Sequence, residues 1–277
     1  MKVACIQYKS YESEKQTLKK ILPLIYTAAK KRVDLITLPE CATFLNKNKS
    51  ETLINASYEE ESFSIKILKE TARTLNVNIL IGSLQTLEKI SNVNKLFNRS
   101  YLITSKGKIK CKYDKIHMYD VKISKSHSYQ ESKIYECGKS AKITKLKING
   151  EYFNIGMTIC YDLRFPQLFR DLALHGADLI TVPSVFMHVT GKYHWHNLLK
   201  ARAIETGCYI VAPAQYGHYF NKRKSYGHSL IVSPWGKILK DANTSKKIIV
   251  SNIDKNEIKK ARSKIPSLYV NKKYKII

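Results

Sequence analysis

The chain has 277 residues, 44% of them hydrophobic, and no 18-residue apolar run, so it can build one large domain or two small ones but not a membrane-spanning helix. Its 48 Lys and Arg against 22 Asp and Glu give a formal charge of +26, which raises nucleic-acid or anionic-membrane binding as a function. Only eight of the basic residues are Arg, the side chain suited to bidentate phosphate contacts, and the lysines are spread over the whole length, so that function is set aside.

The first residues, "MKVACIQY", read as a strand (2–8) rather than an apolar leader, so no signal peptide is expected. Six cysteines at 5, 41, 111, 137, 160 and 208 form no CxxC pair. That pattern points to reduced thiols in the cytoplasm, with neither disulfides nor a zinc site. A helix over 13–31 leads to "VDLITLPE", a buried strand ending at Pro39 and Glu40. A second helix near 59–75 precedes "VNILIGSLQ", and "NRSYLITSKGKIKCKYDK" predicts a hairpin turning at Ser105–Gly107. Residues 122–140 read as a polar loop.

After that loop, "EYFNIGMTIC" (151–160) is a strand and "FPQLFRDLALHGA" a helix, with Pro166 in its first turn and Gly176 at its end. "DLITVPS" repeats the texture of "DLITLPE", which reads either as two halves of an internal repeat or as chance similarity. A helix "YHWHNLLKARAIE", a strand "CYIVAPA", a hairpin "YGHSLIVSPWGKILK" and a last strand "KKIIVSNID" complete the order. No linker interrupts it, so residues 1–277 are expected to form one domain. Alternating elements with hairpins make it an α/β layered fold.

Reactive groups in such folds collect past the carboxyl ends of strands. Glu40 follows "DLITLP", Lys115 follows "KIKCKYD", and Cys160 closes "NIGMTIC". A carboxylate can take the thiol proton, and a helix starting near Pro166 would favour thiolate through its N-terminal dipole. An ammonium can stabilise the oxyanion formed when sulfur attacks a carbonyl. Taken singly, each residue has a plain structural reading; together they form a kit for amide hydrolysis.

"LPE" (38–40), "YDKIHMYD" (113–120) and "ICYDLRFPQLFR" (159–170) resemble, in order and spacing, the three catalytic blocks of the nitrilase superfamily of carbon–nitrogen hydrolases. The resemblance runs from residue 2 to about 254. It implies a four-layer αββα sandwich, a dimer or larger homo-oligomer, and neither metal nor organic cofactor. Carried onto this sequence, it makes Glu40 the general base, Lys115 the oxyanion-stabilising lysine and Cys160 the nucleophile that forms a thioester. The Tyr161 backbone N–H would complete the oxyanion hole. "YQES" (129–132) would put Glu131 beside the lysine, to orient it or the substrate.

"CYDLRFP" and the "TGxxHW" pattern at 190–195 resemble the Nit branch, which cleaves amides of small carboxylates. On that resemblance Arg164 meets a substrate carboxylate, Phe186 forms pocket wall and Thr190 makes a polar contact; a structural pair with an acid is the plain alternative for Arg164. "ARAIETGCYIVAPAQYG" and "RKSYGHSLIVSPWG" imply deaminated glutathione as substrate, cut to 2-oxoglutarate and cysteinylglycine. The alternatives are an omega-amidase acting on 2-oxoglutaramate, an amidase for an N-carbamoyl amino acid, which "CYDLRFP" argues against, or a basic binding protein that uses the fold as a scaffold. The residues of "LPECATFL", "MHV" and "HYFNKRKS" depart from the branch pattern, and the last could remodel the pocket mouth.

Three further features read as structural. His194 and His196 lie two apart on a helix and point to different faces, so they are not a metal pair. "NKRK" (221–224) reads as a solvated turn. The tail from about 264 to 277 would pack across a dimer interface or stay unstructured.

Overall fold

The computed structural model describes residues 1–124, 127–220, 223–270 and 272–276. The first part of the chain runs β1 (Lys2–Gln7), α1 (Glu14–Ala29), β2 (Leu35–Thr37), α2 (Lys49–Asn55), β3 (Ser57–Tyr58), α3 (Phe63–Thr74), β4 (Asn78–Ile90), β5 (Val93–Ile103) and β6 (Ile109–Asp114). A small hairpin, β7 (Asp120–Ser124) and β8 (His127–Gln130), follows. Next come β9 (Lys142–Ile148), β10 (Glu151–Met157), α4 (Pro166–Leu174), β11 (Leu179–Thr181), α5 (His188–Thr206) and β12 (Tyr209–Ala212). The chain then forms β13 (Tyr216–His218), β14 (Lys224–Tyr226), β15 (Leu230–Val232), β16 (Ile238–Asp241), β17 (Lys247–Asn252) and α6 (Lys255–Lys264).

Two sheets result. One has the order β17-β1-β2-β4-β5-β6, with β3 also paired to β4; the other has the order β16-β15-β12-β11-β10-β9. Strand alternation decides the layers. Ala4, Ile36 and Ile79 are in register and pack against Ile21 and Ile25 of α1 and Leu68 of α3. Their neighbours Val3, Leu35 and Leu80 point the other way, into a core shared with Ile155, Leu179 and Val211 of the second sheet. Phe169 and Leu172 of α4 and Trp195 and Leu199 of α5 cover that sheet's outer side. The stack is helix, sheet, sheet, helix: the expected αββα sandwich.

Both "DLIT" segments take the same place. β2 is the middle of three parallel strands, β1-β2-β4, and β11 the middle of β10-β11-β12. β11 lies in a β–α–β–α–β unit and β2 in the same kind of unit with α2 and β3 inserted before α3, so residues past their carboxyl ends converge on one side.

Several elements differ from expectation. The polar loop at 122–140 holds the β7–β8 hairpin and a 3₁₀ turn, Glu131–Lys133. The "KITKLKI" strand β9 was not expected; it pairs with β10 through a turn in which Asn149 and Gly150 both have positive φ. Helices α2 and α6 were not expected either. Side-chain caps start both: Asn48 accepts from the Glu51 amide and Asp254 from that of Asn256. Among the described residues no helix is long and apolar enough to cross a membrane.

Candidate active site

β10 ends at Met157, three residues earlier than the sequence suggests, and the chain continues on hydrogen bonds to the strand beyond it. The Thr158 and Cys160 amides donate to Thr181 O at 3.2 Å and Pro183 O at 2.9 Å. Cys160 then takes a left-handed conformation, φ 46°, at the start of the 3₁₀ turn Cys160–Arg164. A non-glycine residue held there is strained, which is a mark of functional turns. The bend brings the thiol to a cleft while leaving the residue 8% exposed.

Glu40 sits just past β2, and its buried carboxylate is fixed at both oxygens. The Val185 amide donates to Oε2 at 2.7 Å; Asn98 Nδ2 and Lys115 Nζ donate to Oε1 at 3.0 and 3.1 Å. Lys115, 2% exposed, also donates to both oxygens of Glu131 at 2.9 and 2.7 Å. Asn98 Nδ2 reaches Glu131 Oε1 at 3.2 Å, so one amide ties the two glutamates together. The structure therefore gathers Glu40, Lys115, Glu131 and Cys160, as the motifs imply.

Three positioning groups were missed at the sequence level. Asn98 begins the stretch read only as a hairpin. Fully buried Asp162 clamps the lysine segment to the cysteine turn: Tyr113 Oη and the Ile159 amide donate to Oδ2 at 2.7 and 2.8 Å, and the His117 amide donates to Oδ1 at 3.1 Å. The His117 ring lies 2.7 Å from the same Oδ1. Gln215, from the "AQYG" stretch, donates to the backbone carbonyls of Glu40 and Cys41 at 2.7 and 3.0 Å. That glutamine supports the loop carrying Glu40.

Electrostatics set the resting protonation. Burial pushes the Glu40 carboxyl up, but Lys115 and the Val185 amide outweigh it and hold it below the usual range. Burial pulls the Lys115 ammonium down, while Glu131 and Glu40 carry it well above its ordinary value. Burial and the Glu40 carboxylate raise the Cys160 thiol well above its usual 9.0, and Lys115 only partly opposes them. The expected helix-dipole preference for thiolate is thus overturned: two carboxylates and desolvation dominate, and the resting sulfur is a neutral thiol.

The cleft encloses about 630 Å³, within the usual range for small-molecule sites. Tyr161, Arg164, Phe186 and Thr190 all line it. The Tyr161 amide donates to no group among the described residues, and the ring stands edge-on to Tyr119 and Phe165. Phe186 packs on Trp195, while Thr190 Oγ1 lies 3.4 Å from Met187 O in the first turn of α5. The Arg164 guanidinium lies over the Tyr161 and Phe186 rings and 3.2 Å from His194 Nδ1, with no acidic partner among the described residues. The structural-pair reading of Arg164 is therefore not met.

Asn221 and Lys222 lie outside the described residues, but Arg223 and Lys224 line the cleft, so this half of "NKRK" is pocket wall rather than solvated turn. His194 and His196 do point different ways. His196 turns to Asp241, 3.2 Å away, which also lies 3.1 Å from His228 Nδ1. Ligand atoms of His196, His228 and Asp241 lie within 4.8 Å of one another, but none of the three lines the cleft. Burial raises the Asp241 carboxyl, yet its hydrogen bonds with the two histidines hold it well below the usual range.

Comparison with known proteins follows the same lines. The family model described as carbon-nitrogen hydrolase matches residues 2–263. A deaminated glutathione amidase from Synechocystis is 35% identical over 265 residues, covering 96% of this chain and 96% of the relative. The human deaminated glutathione amidase is 35% identical over 268 residues, covering 95% and 80% respectively. Among solved structures, Saccharomyces cerevisiae Nit3, a member of branch 10 of the nitrilase superfamily, superposes with a TM-score of 0.82 at 27% identity, covering 96% of this chain and 94% of that one.

Proposed function

The chain belongs to the carbon–nitrogen hydrolase family, and from that premise we propose that it is a cysteine-dependent amidase that converts deaminated glutathione and water to 2-oxoglutarate and cysteinylglycine. The observation that carries the chemistry is the Lys115 ammonium shared between the Glu40 and Glu131 carboxylates beside the Cys160 thiol. The names of the relatives at 35% identity support the substrate.

Glu40 is the base. Because the resting thiol is neutral, proton transfer to Glu40 accompanies attack of sulfur on the amide carbon. All three Lys115 N–H groups are directed at carboxylate oxygens in the resting site. Protonating Glu40 removes its negative charge and weakens its hold on Nζ. One N–H is then free for the developing oxyanion, beside the unpartnered Tyr161 amide. Glu131 keeps the lysine charged and aimed. As the C–N bond breaks, the proton on Glu40 passes to the leaving amine. Water, with Glu40 again as base, hydrolyses the thioester and restores the thiol. Arg164 holds the 2-oxo-acid carboxylate, with Phe186 and Thr190 along the acyl chain.

We also read residues 1–277 as one catalytic domain that works in the cytoplasm as a homodimer or larger homo-oligomer. Free cysteines throughout support the compartment, and exposed Tyr269, Tyr274 and Ile276 in the tail support an interface there. The test is 2-oxoglutarate release from deaminated glutathione and 2-oxoglutaramate in parallel, with Cys160→Ala as the blank. Preference for the first substrate is expected. Preference for the second would make the protein an omega-amidase, and an active Cys160→Ala enzyme would overturn the mechanism.

A further inference from the structure

The cleft holds more cationic recognition than a 2-oxo acid needs. Arg164 belongs to the same 3₁₀ turn as the nucleophile and lies over Phe186. Arg223 comes from a different segment, immediately before β14, and lies 5.0 Å over the Tyr129 ring with Nε 3.2 Å from Met187 Sδ. Neither guanidinium has an acidic partner among the described residues. Phe186 and Met187 are consecutive, so one short piece of wall carries an arginine on each of two neighbouring side chains.

The rings of Tyr161, Tyr119 and Tyr129 connect the two arginines, with successive centroids 5.1 and 5.5 Å apart. Tyr119 feels both: burial pushes its phenol up to about 12, and Arg164 and Arg223 each pull against that rise. β14 is tied beside this wall, since the Tyr226 amide donates to Phe186 O at 2.8 Å and Ser225 bridges to Met187. His188 Nδ1, also on the cleft wall, is buried without a partner among the described residues.

Deaminated glutathione carries a carboxylate at each end, whereas 2-oxoglutaramate carries one. A carboxylate on the acyl part must stay fixed relative to sulfur through the thioester, which suits an arginine on the nucleophile's own turn. The other carboxylate leaves with the amine and needs a site on another element. We propose that Arg223 is the specificity residue for the leaving group, its guanidinium receiving the terminal glycine carboxylate of deaminated glutathione across the Tyr129 and Met187 wall. This assignment rests on the substrate reading above.

The test pairs residue with substrate group. Deaminated glutathione and its terminal carboxamide are compared on the wild-type enzyme, Arg223→Ala and Arg223→Lys. The wild type should lose about tenfold or more in kcat/KM on the carboxamide, chiefly through KM, because a charge-assisted guanidinium–carboxylate pair is lost. Arg223→Ala should be equally slow on both, and Arg223→Lys should regain part of the carboxylate preference. A wild-type enzyme indifferent to the carboxamide would overturn the assignment without any variant having to fold. So would an Arg223→Ala enzyme that keeps the preference, or one equally impaired on 2-oxoglutaramate. A wild-type enzyme that cleaves only 2-oxoglutaramate would instead overturn the substrate reading, and this inference with it.

Discussion

Cys160 and Glu40 rest as thiol and carboxylate, the reverse of a thiolate facing a neutral acid. The thiol is held above 9.0 and the carboxyl below 4.5, so in the proposed mechanism the base is already ionised and the nucleophile is not. The pH profile follows from these directions. Glu40 must be carboxylate, and its lowered pKa keeps it so until the solution is more acid than 4.5. Cys160 does not ionise across neutrality, so kcat/KM on deaminated glutathione should be flat from about pH 6 to 8 rather than rise with thiolate fraction. Measuring that profile beside the rate of iodoacetamide labelling decides the point: a tenfold rise in kcat/KM over that interval would mean attack by preformed thiolate. Asp162 supplies a second residue-level expectation. Its oxygens take donors from both Tyr113 and Ile159, on either side of the site. Asp162→Asn keeps the shape but weakens charged acceptors, so it should cost about 2–3 kcal/mol of stability. It should also lower kcat more than it changes KM, read from thermal melts and steady-state kinetics. A change confined to KM would show that Asp162 does not align the lysine with the cysteine.

Among the elements, β4 reveals how the base is positioned. A Cβ on Gly82 would lie 2.1 Å from Leu38 O and 2.4 Å from Pro39 C, the backbone immediately before Glu40. The strand shifts register between Ile81 and Leu84 and presses against that segment. Gly82→Ala should therefore cost about 1–3 kcal/mol through overpacking and about a hundredfold in kcat through displacement of the base. A folded Gly82→Ala enzyme with full kcat would show that the Leu38–Glu40 segment can yield without moving the carboxylate. Such close approaches explain what the sequence conveyed and what it hid. Strands β2 and β11 sit in the mostly apolar runs "LITLP" and "LITVP", each closed by a proline, so the positions of Glu40 and Pro183 were legible. The lysine and cysteine blocks were legible for a similar reason, since each follows a strand. Asn98 and Asp162 were not, because a polar residue in a hairpin or turn looks solvated until the fold buries it. β9 interleaves lysines with apolar residues, and no strand was expected there. Arg223 stood in a basic run, where the side chain that turns inward cannot be told from those that do not.

At the scale of the molecule, the two parallel β–α–β–α–β units bring their carboxyl ends together, and each contributes what the other lacks. The first sheet provides Glu40 and Lys115, the second Cys160 and Arg164, and Asp162 and Val185 bond across the join. Around this site the chain carries a charge of +26. The summed field of its lysines should draw small anions toward a cleft that itself contains Lys47, Arg164, Arg223 and Lys224. Salt should therefore act on capture and not on chemistry. Raising ionic strength from about 10 mM to about 500 mM shortens the Debye length from roughly 30 Å to below 8 Å, so kcat/KM on deaminated glutathione should fall several-fold while kcat holds. The slope should be steeper for this dianion than for singly charged 2-oxoglutaramate, since each carboxylate feels the same field. Equal slopes would confine the attraction to one carboxylate at close contact and make the lysine-rich surface irrelevant to capture; a falling kcat would instead place the salt effect within the catalytic site.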